Sequence, residues 1–519
     1  MKGAKLMSED QKGIYVGRRS FIKTSAMAVV GSTHAMKGVY AEETGTPSKP
    51  ESNSGRDGTR NNKLLCLSGF PERDGKFIES IKSNTELDFH VSMIQFNIRE
   101  PQKLMESIRA ENPGVLLMCM PFFNFNYGRL AQYMGDLDIP IVLYSMNRDM
   151  IMVDANFAAE LRAKGANVKL AGSEIEVTEM LKRAASPGIL EGKKALIFGR
   201  PFDSTSVPAH NLTEEYVYKH TGLSIRYRPV NELVTLLKNT DEAGAREDMK
   251  RWRKEAKGVD KVSDKVLLDE CRMYSLLRSI IEKEGLSPIS IDCLSFTLMR
   301  SVLSLPLPCL AFARLRDEGI TAACEGDVCG LLSSMVFEKI SGKPSYFANV
   351  SSVDKKKSST VLRHCVAPLK FLGPDQPQLP YELHDYHGLG KGVVPKVEFP
   401  VGIEVTIGLF SKNLKDFILW PGRTCEGVDD IDEPFIMPDM PMPKPKRDGS
   451  ESKRMTLPFP PMDRYCANRA EVEIRDVDRF YQNIAGLHYI MVAGNHAKET
   501  ADVMSMENVN IIAPLDSDA

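Results

Sequence analysis

The sequence predicts an α/β protein in which two doubly wound α/β (Rossmann-like) domains are followed by a mostly β C-terminal domain. From residue 63 onwards, short and fully apolar runs such as KLLCLSGF alternate with segments of helical periodicity such as FIESIKS. Buried parallel strands that alternate with amphipathic helices produce this pattern. After residue 345 the pattern changes to strand-like alternation between turn residues, as in SSTVLRHCVAPLKF and VGIEVTIGLFS, which indicates a β-rich region.

Pattern and composition divide the chain into five segments. At 519 residues the chain is too long for a single hydrophobic core, so several domains are expected. The segments are an export signal (residues 1–41), a polar linker (42–62), a first α/β domain (63–190), a second α/β domain (191–345) and the β-rich domain (346–519), which carries a Pro-, Met- and Lys-rich insertion at 434–463.

The N-terminus resembles a twin-arginine export signal. Arg18 and Arg19 stand in GRRSFIK, and a mildly apolar stretch follows and ends in Val-Tyr-Ala at Ala41, a small-x-Ala type of cleavage site. We therefore expect the twin-arginine machinery to export the folded protein to the periplasm or beyond. A basic, unstructured tail is the alternative interpretation.

The composition is that of an ordinary globular protein. A formal charge of -2 and 26% charged residues do not favour nucleic acid as a partner, and no uninterrupted apolar run reaches the 18 residues that predict a membrane-spanning helix. The ten cysteines include no CxxC pair. Half of them lie in apolar segments, so they are interpreted as buried thiols rather than disulfides: Cys66, Cys119, Cys293, Cys309 and Cys324.

An acidic turn is the sharpest internal motif. In ACEGDV, Glu325 and Asp327 flank Gly326 between an apolar run and an amphipathic helix. The carboxyl end of a strand is where α/β domains build their sites. Alternate residues of an extended chain point in opposite directions, so both acids face one pocket only if the chain bends at Gly326. A helix cap beside an exposed acid is the alternative.

Several motifs together resemble the L-fucose isomerase-like family, whose members are ketol isomerases of sugars related to the L-arabinose isomerases. They run in the family order from about residue 63 to the C-terminus, and the most specific is ITAACEGD with a downstream HC..P. The others include PGVLLMCMPFFNF, DIPIVLYSM, RYCANRAEVEI and LHYIMVAGNH. The resemblance implies the three-domain arrangement above, a homo-oligomer and a sugar substrate.

The resemblance also implies a divalent metal, Mn²⁺ above all, that is bound by carboxylates and histidine while a proton moves through an enediol. Asp327 matches the metal-binding aspartate of the family, and His488 matches the first histidine of its near-terminal pair. Glu325 is the supporting acid, and with Asp327 it is the candidate for proton transfer. His364 is either a further ligand or a half-buried strand residue. Oxygen and imidazole ligands suit manganese better than thiolates would.

One departure from the family opens an alternative function. Phe296 stands near the position of a family glutamate, and Asp292 is the only acid nearby. Glu325, Asp292 or His364 would have to compensate. Without such compensation, the chain would be a non-catalytic exported carbohydrate-binding protein, in which Phe296 packs against a sugar ring. A nucleotide-dependent oxidoreductase is disfavoured because the first βα turn has no GxGxxG.

Three further residues have weaker signals. His387 and Lys391 lie in YELHDYHGLGKG, at a place where the family has a histidine, so they are candidates for contact with the substrate. A surface loop with turn glycines is the alternative. His496, which follows AGN, is expected at a strand end rather than in the site.

Overall fold

The computed structural model describes thirteen stretches of the chain. They are residues 62–84, 89–95, 100–120, 127–135, 137, 139–145, 151–185, 189–199, 212–240, 242–293, 305–388, 390–427 and 466–515. The predicted export signal with Arg18 and Arg19, the linker up to residue 61, Phe296 and the predicted insertion at 434–463 lie outside the described residues.

The first sheet has five parallel strands in the order β2-β1-β3-β4-β5. The strands are β1 (Lys63–Ser68), β2 (His90–Gln95), β3 (Val115–Cys119), β4 (Ile141–Tyr144) and β5 (Val168–Ala171). The helices are α1 (Pro71–Lys82), α2 (Pro101–Glu111), α3 (Tyr127–Met134), α4 (Ile151–Ala163) and α5 (Glu174–Ala185). α2, α3 and α4 cover one face, whereas α1 and α5 cover the other. The predicted doubly wound arrangement is therefore present here.

The second sheet has four parallel strands in the order β10-β9-β6-β7. They are β6 (Lys194–Phe198), β7 (Ser224–Arg228), β9 (Ile289–Ile291) and β10 (Ala322–Cys324). The helices of this part are α6 (Glu214–Thr221), α7 (Val230–Lys238), α8 (Glu242–Glu255), α9 (Asp264–Glu284), α10 (Cys309–Asp317) and α11 (Val328–Ser341). α11 begins where β10 ends and packs against the next sheet, so the β9 and β10 ends face the β-rich region.

The β-rich region is barrel-like. Its order is β15-β18-β11-β12-β17-β16-β19, and an additional pairing of β15 with β16 closes six of the strands into a ring. The strands are β11 (Tyr346–Asp354), β12 (Ser359–His364), β15 (Glu404–Phe410), β16 (Asp416–Cys425), β17 (Asn468–Ile474), β18 (His488–Ala493) and β19 (Asn510–Ile512). Two short helices accompany them, α12 (Val477–Gln482) and α13 (Ala497–Met506).

A small third sheet contacts both the second α/β part and the β-rich region. β8 (Val259–Asp260), β13 (Tyr381–Asp385) and β14 (Val393–Val397) form a three-stranded sheet. One apolar core extends under the second sheet, this small sheet and the barrel, from Leu190 to Val509. The chain is thus a mixed α/β protein with two parallel sheets and a C-terminal β-rich part. The domain boundaries at 190 and 345 stay predictions.

Two further observations concern the cysteines and the helices. All ten cysteines are free thiols, and Cys66, Cys119, Cys309 and Cys324 are buried, while Cys293 is half-buried. Within the described stretches, every helix is too short or too polar to cross a membrane.

Candidate functional site

The acidic turn lies at the carboxyl end of β10, beside the end of β9. Glu325 and Gly326 both adopt left-handed backbone conformations, with φ of 63° and 66°, and the Gly326 amide donates to the Ile291 carbonyl at 3.1 Å. Two consecutive left-handed residues reverse the chain sharply, a conformation that glycine adopts without strain. The chain therefore bends at Gly326, which is the condition for both acids to face one site, and both Glu325 and Asp327 contact the His488 imidazole.

Asp327 has two structural roles. It is the N-cap of α11, where its Oδ1 accepts a hydrogen bond from the Gly330 amide at 3.0 Å. Its Oδ2 lies 2.8 Å from His488 Nδ1. The helix-cap interpretation and the site interpretation of this aspartate are therefore compatible, because each uses a different carboxylate oxygen.

Two buried histidines converge on Glu325 from the barrel. His488 opens β18 and His364 closes β12, the two neighbours of β11. His488 Nε2 lies 3.4 Å from Glu325 Oε2, and His364 Nε2 lies 3.6 Å from Glu325 Oε1. Only 3% of the His488 surface and 4% of the His364 surface are exposed. The carboxylate thus bridges two imidazoles that are distant along the chain but adjacent in space.

Burial and charge oppose each other in this cluster. Burial alone would raise the pKa of Glu325, but contacts with His364 and His488 outweigh it and hold that pKa well below its usual range. Burial lowers the pKa of His488, whereas Asp327 and Glu325 raise it, and the result is about 9. Burial also lowers the pKa of His364, but Cys324 and Glu325 raise it to about 10. The carboxylate of Glu325 and the two imidazoles therefore stabilise one another's charged forms.

The donor set fits a hard divalent cation. One ligand atom each from Glu325, His364 and His488 lies within 4.8 Å of the others. Ligands bound at about 2.0 to 2.6 Å and at right angles lie roughly 2.8 to 3.7 Å apart, which includes both imidazole-to-carboxylate distances. Among the described residues, His488 Nε2 has no well-aligned hydrogen bond although it is buried. A buried polar atom ordinarily has a partner, so this nitrogen, which faces Glu325, is a candidate for ligand contact.

Phe347 is a part of the site that sequence reasoning missed. Its ring lies 4.4 Å from the His488 ring and 5.5 Å from the His364 ring, between centroids. A Cβ on Gly330 would stand 2.3 Å from Phe347 Cε2, so only glycine permits this approach of helix and ring. Phe347 lies in an apolar strand segment whose pattern indicates core, and that pattern gave no signal of its contact with the histidines.

The remaining predicted residues are described by their own surroundings, except Phe296, which lies outside the described part of the chain. Asp292 follows β9 at the same sheet edge and is buried. His496 lies past the end of β18, where Nδ1 contacts Glu499 at 3.1 Å, as expected of a strand end. Lys391 is exposed in a bend. Contact of Lys391 or Phe296 with a substrate stays a prediction.

His387 joins a second cluster that the sequence did not reveal. Its Nε2 lies 3.4 Å from Cys365 Sγ and 3.7 Å from Cys466 Sγ. A hydrogen bond from Cys365 and the contact with His387 lower the pKa of Cys466 to about 4, against the effect of burial. The two cysteines are 101 residues apart in sequence, so no local spacing motif connects them. Contact of His387 with a substrate also stays a prediction.

Comparison with known proteins gives one partial relative. The sulfoquinovose isomerase of Clostridium sp. (strain MSTE9) is 28% identical over 94 residues, which are 18% of this chain and 20% of that protein. The chain thus matches about a fifth of the length of this curated relative. No protein-family model matches the chain. The partial match supports a relation to sugar isomerases.

Proposed function

We propose that this chain is a metal-dependent aldose-ketose isomerase of the fucose isomerase-like family. The observation that carries the proposal is the cluster of Glu325, His364 and His488, whose ligand atoms fit within one coordination sphere. The partial likeness to a sulfoquinovose isomerase supports the same class of reaction.

In this proposal the metal, Mn²⁺ in the first place, is held by Glu325, His364 and His488. Asp327 contacts the other ring nitrogen of His488 at 2.8 Å, as a carboxylate does when it orients a metal-bound imidazole and fixes its tautomer. Direct ligation by Asp327, which the family resemblance implies, remains part of the proposal; it would require Oδ2 to leave His488 Nδ1.

The metal would act as a Lewis acid on the carbonyl and hydroxyl oxygens of the sugar. The chain itself must supply a group that takes a proton from one carbon and returns it to the neighbouring carbon. Carboxylates serve as such general bases and acids. We assign this role to Glu325 and Asp327, and the positions of the two imidazoles would restrict the orientation of a bound sugar.

Export and assembly are also part of the proposal. Arg18 and Arg19 support transport by the twin-arginine pathway, a route on which a protein folds and loads its cofactor before export. A homo-oligomer is proposed from the family resemblance alone. A protease-protection assay on cells expressing the chain with Arg18 and Arg19 replaced by lysine tests the route, since export should then cease.

The decisive experiment couples metal analysis to a sugar screen. The purified protein is assayed with Mn²⁺ and with pentoses, 6-deoxyhexoses and sulfoquinovose, and exchange of the C2 hydrogen with solvent deuterium is followed by NMR. We expect exchange and isomerisation in the wild type, loss of both with E325Q, and retention of both with E404Q. Glu404 is a matched control because it is exposed on β15. Absence of both bound metal and exchange would refute the proposal.

A carbohydrate-binding protein without catalysis is the second candidate function, favoured by Phe296 at the expected glutamate position. It predicts that a sugar raises the melting temperature without a metal and without isomerisation. A chelator that abolished the shift would count against it. The deuterium-exchange assay separates the two candidates, because binding alone leaves the C2 hydrogen in place.

A further inference from the structure

The cluster of Cys365, His387 and Cys466 has the composition of a thiophilic metal site. Two thiols and one imidazole nitrogen lie within 4.8 Å of one another. Cysteine and histidine are the ligands that Zn²⁺ prefers, and three protein ligands with an open fourth position are a known arrangement for it. Manganese, by contrast, prefers oxygen ligands. The cluster therefore differs in chemistry from the Glu325, His364 and His488 cluster.

The distances match the ligand spacing of tetrahedral zinc. With Zn–S of about 2.3 Å, Zn–N of about 2.0 to 2.1 Å and an angle of about 109°, nitrogen and sulfur ligands lie about 3.6 Å apart. His387 Nε2 is 3.4 Å from Cys365 Sγ and 3.7 Å from Cys466 Sγ. The distance from this nitrogen to each sulfur is therefore close to the distance expected between two ligands of one zinc ion.

A network of hydrogen bonds is the alternative account of these distances. In it the Cys466 thiolate accepts from the Cys365 thiol and from a protonated His387 imidazole, in agreement with the lowered pKa of Cys466. A cation placed between the three atoms would interact with all of them. Both sulfurs would bind the metal as thiolates, and a thiol proton still present would pass to solvent.

The backbone holds the three ligands in fixed places. Cys365 follows β12, and Cys466 precedes β17, the strand that pairs with β12. His387 lies in the turn after β13. The buried side chain of Asn468 donates to the carbonyl oxygens of Cys365 at 3.1 Å and Pro395 at 2.9 Å. It thereby ties the end of β12 to β14, the hairpin partner of β13.

The backbone of His387 is itself unusual. Its φ of 52° and ψ of 26° are left-handed, a conformation that residues other than glycine rarely adopt. Such outliers concentrate at functional sites, where the surrounding structure holds them. Cys466 and His387 are half-buried, so an ion from solvent has access.

We propose that Cys365, His387 and Cys466 form a second metal site that takes Zn²⁺, with a fourth position for water or a small ligand. The site is separate from the proposed isomerase centre and does not depend on that function. His364 ends β12 and Cys365 follows it, and each of these neighbours belongs to a different cluster.

Cobalt substitution tests the site directly. The full protein is reduced, stripped of metal and titrated with Co²⁺, which shows a sulfur-to-metal charge-transfer absorption only when thiolates bind it. We expect this absorption in the wild type, its displacement by one equivalent of Zn²⁺, and at least about a 100-fold weaker Co²⁺ affinity in C466S. That loss begins at the upper limit of the 10–100-fold loss typical of residues that merely support a ligand.

Matched variants show whether the absorption arises from these three residues. C425S removes another half-buried free thiol, on β16, and should retain the absorption. The double variant E325Q and H488Q should also retain it, whatever the catalytic outcome. Circular dichroism checks that C466S, C365S and H387Q fold. Absence of the absorption in folded wild type, an unchanged Co²⁺ affinity in C466S, or a Cys365–Cys466 disulfide in protein purified without reductant would overturn the proposal.

Discussion

Substitution of Gly330 by alanine tests the packing that supports the site. Gly330 is the third residue of α11, and an added Cβ would stand 2.3 Å from Phe347 Cε2 and 2.9 Å from Phe347 Cζ. Ordinary contact begins at 3.4 Å, so the ring edge must move by about 1.1 Å, the difference between 3.4 and 2.3 Å. Phe347 is fully buried and its ring contacts both histidines. The ring therefore cannot move without displacing its neighbours.

The expected magnitude follows from two opposing effects. Overpacking of a filled core costs about 1 to 3 kcal/mol, whereas replacement of glycine by alanine in a helix contributes up to about 1 kcal/mol of stability. Gly244 is the matched control, because it is the third residue of α8 and nothing lies within 4 Å of its added Cβ. Both glycines lie inside helices, so the helix contribution applies to both variants and cancels. They should therefore differ by the overpacking cost alone, roughly 1 to 3 kcal/mol, with G244A the more stable.

Urea denaturation followed by circular dichroism measures this difference, and Mn²⁺ titration measures its effect on the site. We expect G330A to unfold at a lower urea concentration than the wild type and to bind Mn²⁺ more weakly, because the displaced ring pushes on the His488 and His364 imidazoles. Equal stability of G330A and G244A would refute the packing of Phe347 against the start of α11. Normal Mn²⁺ affinity in a destabilised G330A would show that the ring does not position the histidines.

Three other predictions concern single carboxylates. Asp327→Asn keeps the helix cap but weakens the orientation of His488, so Mn²⁺ affinity measured by calorimetry should fall about 10–100-fold; an unchanged affinity would contradict this role. Burial raises the pKa of Asp317 to about 7 from 3.8, so the folded state holds the extra proton between those values. Stability therefore falls as pH rises through that window, by at most about 4 kcal/mol, and D317N should lack this part of the urea-midpoint dependence; identical pH profiles would contradict it. Asp248→Ala leaves the 5% exposed Arg314 side chain without the carboxylate at 2.7 Å, and should cost about 3 kcal/mol in urea unfolding, whereas a loss below about 0.5 kcal/mol would show a screened pair.

The fold class could be predicted because burial leaves a direct mark on the sequence. Runs such as Val115–Cys119 and Ile141–Tyr144 are buried at every residue, so they read as continuous apolar strands of a parallel sheet. The ring closure through β15 and β16 left no such mark. Pairing between strands depends on side chains of both partners and on turn geometry, and neither is readable from one strand alone.

The candidate site was predictable only in part, for a similar reason. Glu325 and Asp327 stand two residues apart beside a glycine, so the turn chemistry points to them. The pairing of His488 with these acids rested on family resemblance, since 161 residues separate His488 from Asp327. Phe347 was missed because an apolar residue in a strand indicates core, and here the core is also the wall that holds the two imidazoles.

The cysteine cluster could not be predicted, because a metal site built from cysteines is recognisable in a sequence only when its ligands follow one another at short spacings. Cys365, His387 and Cys466 come from the end of one strand, the turn after another and the start of a third. Only the antiparallel pairing of β12 with β17, in which His364 opposes Asn468, brings Cys365 and Cys466 together. The sequence HC at 364–365 therefore belongs to two different donor sets, one of oxygen and nitrogen and one of sulfur and nitrogen. Because thiolates favour Zn²⁺ whereas oxygen ligands suit Mn²⁺, the two proposed sites would differ in metal preference although they share one strand end.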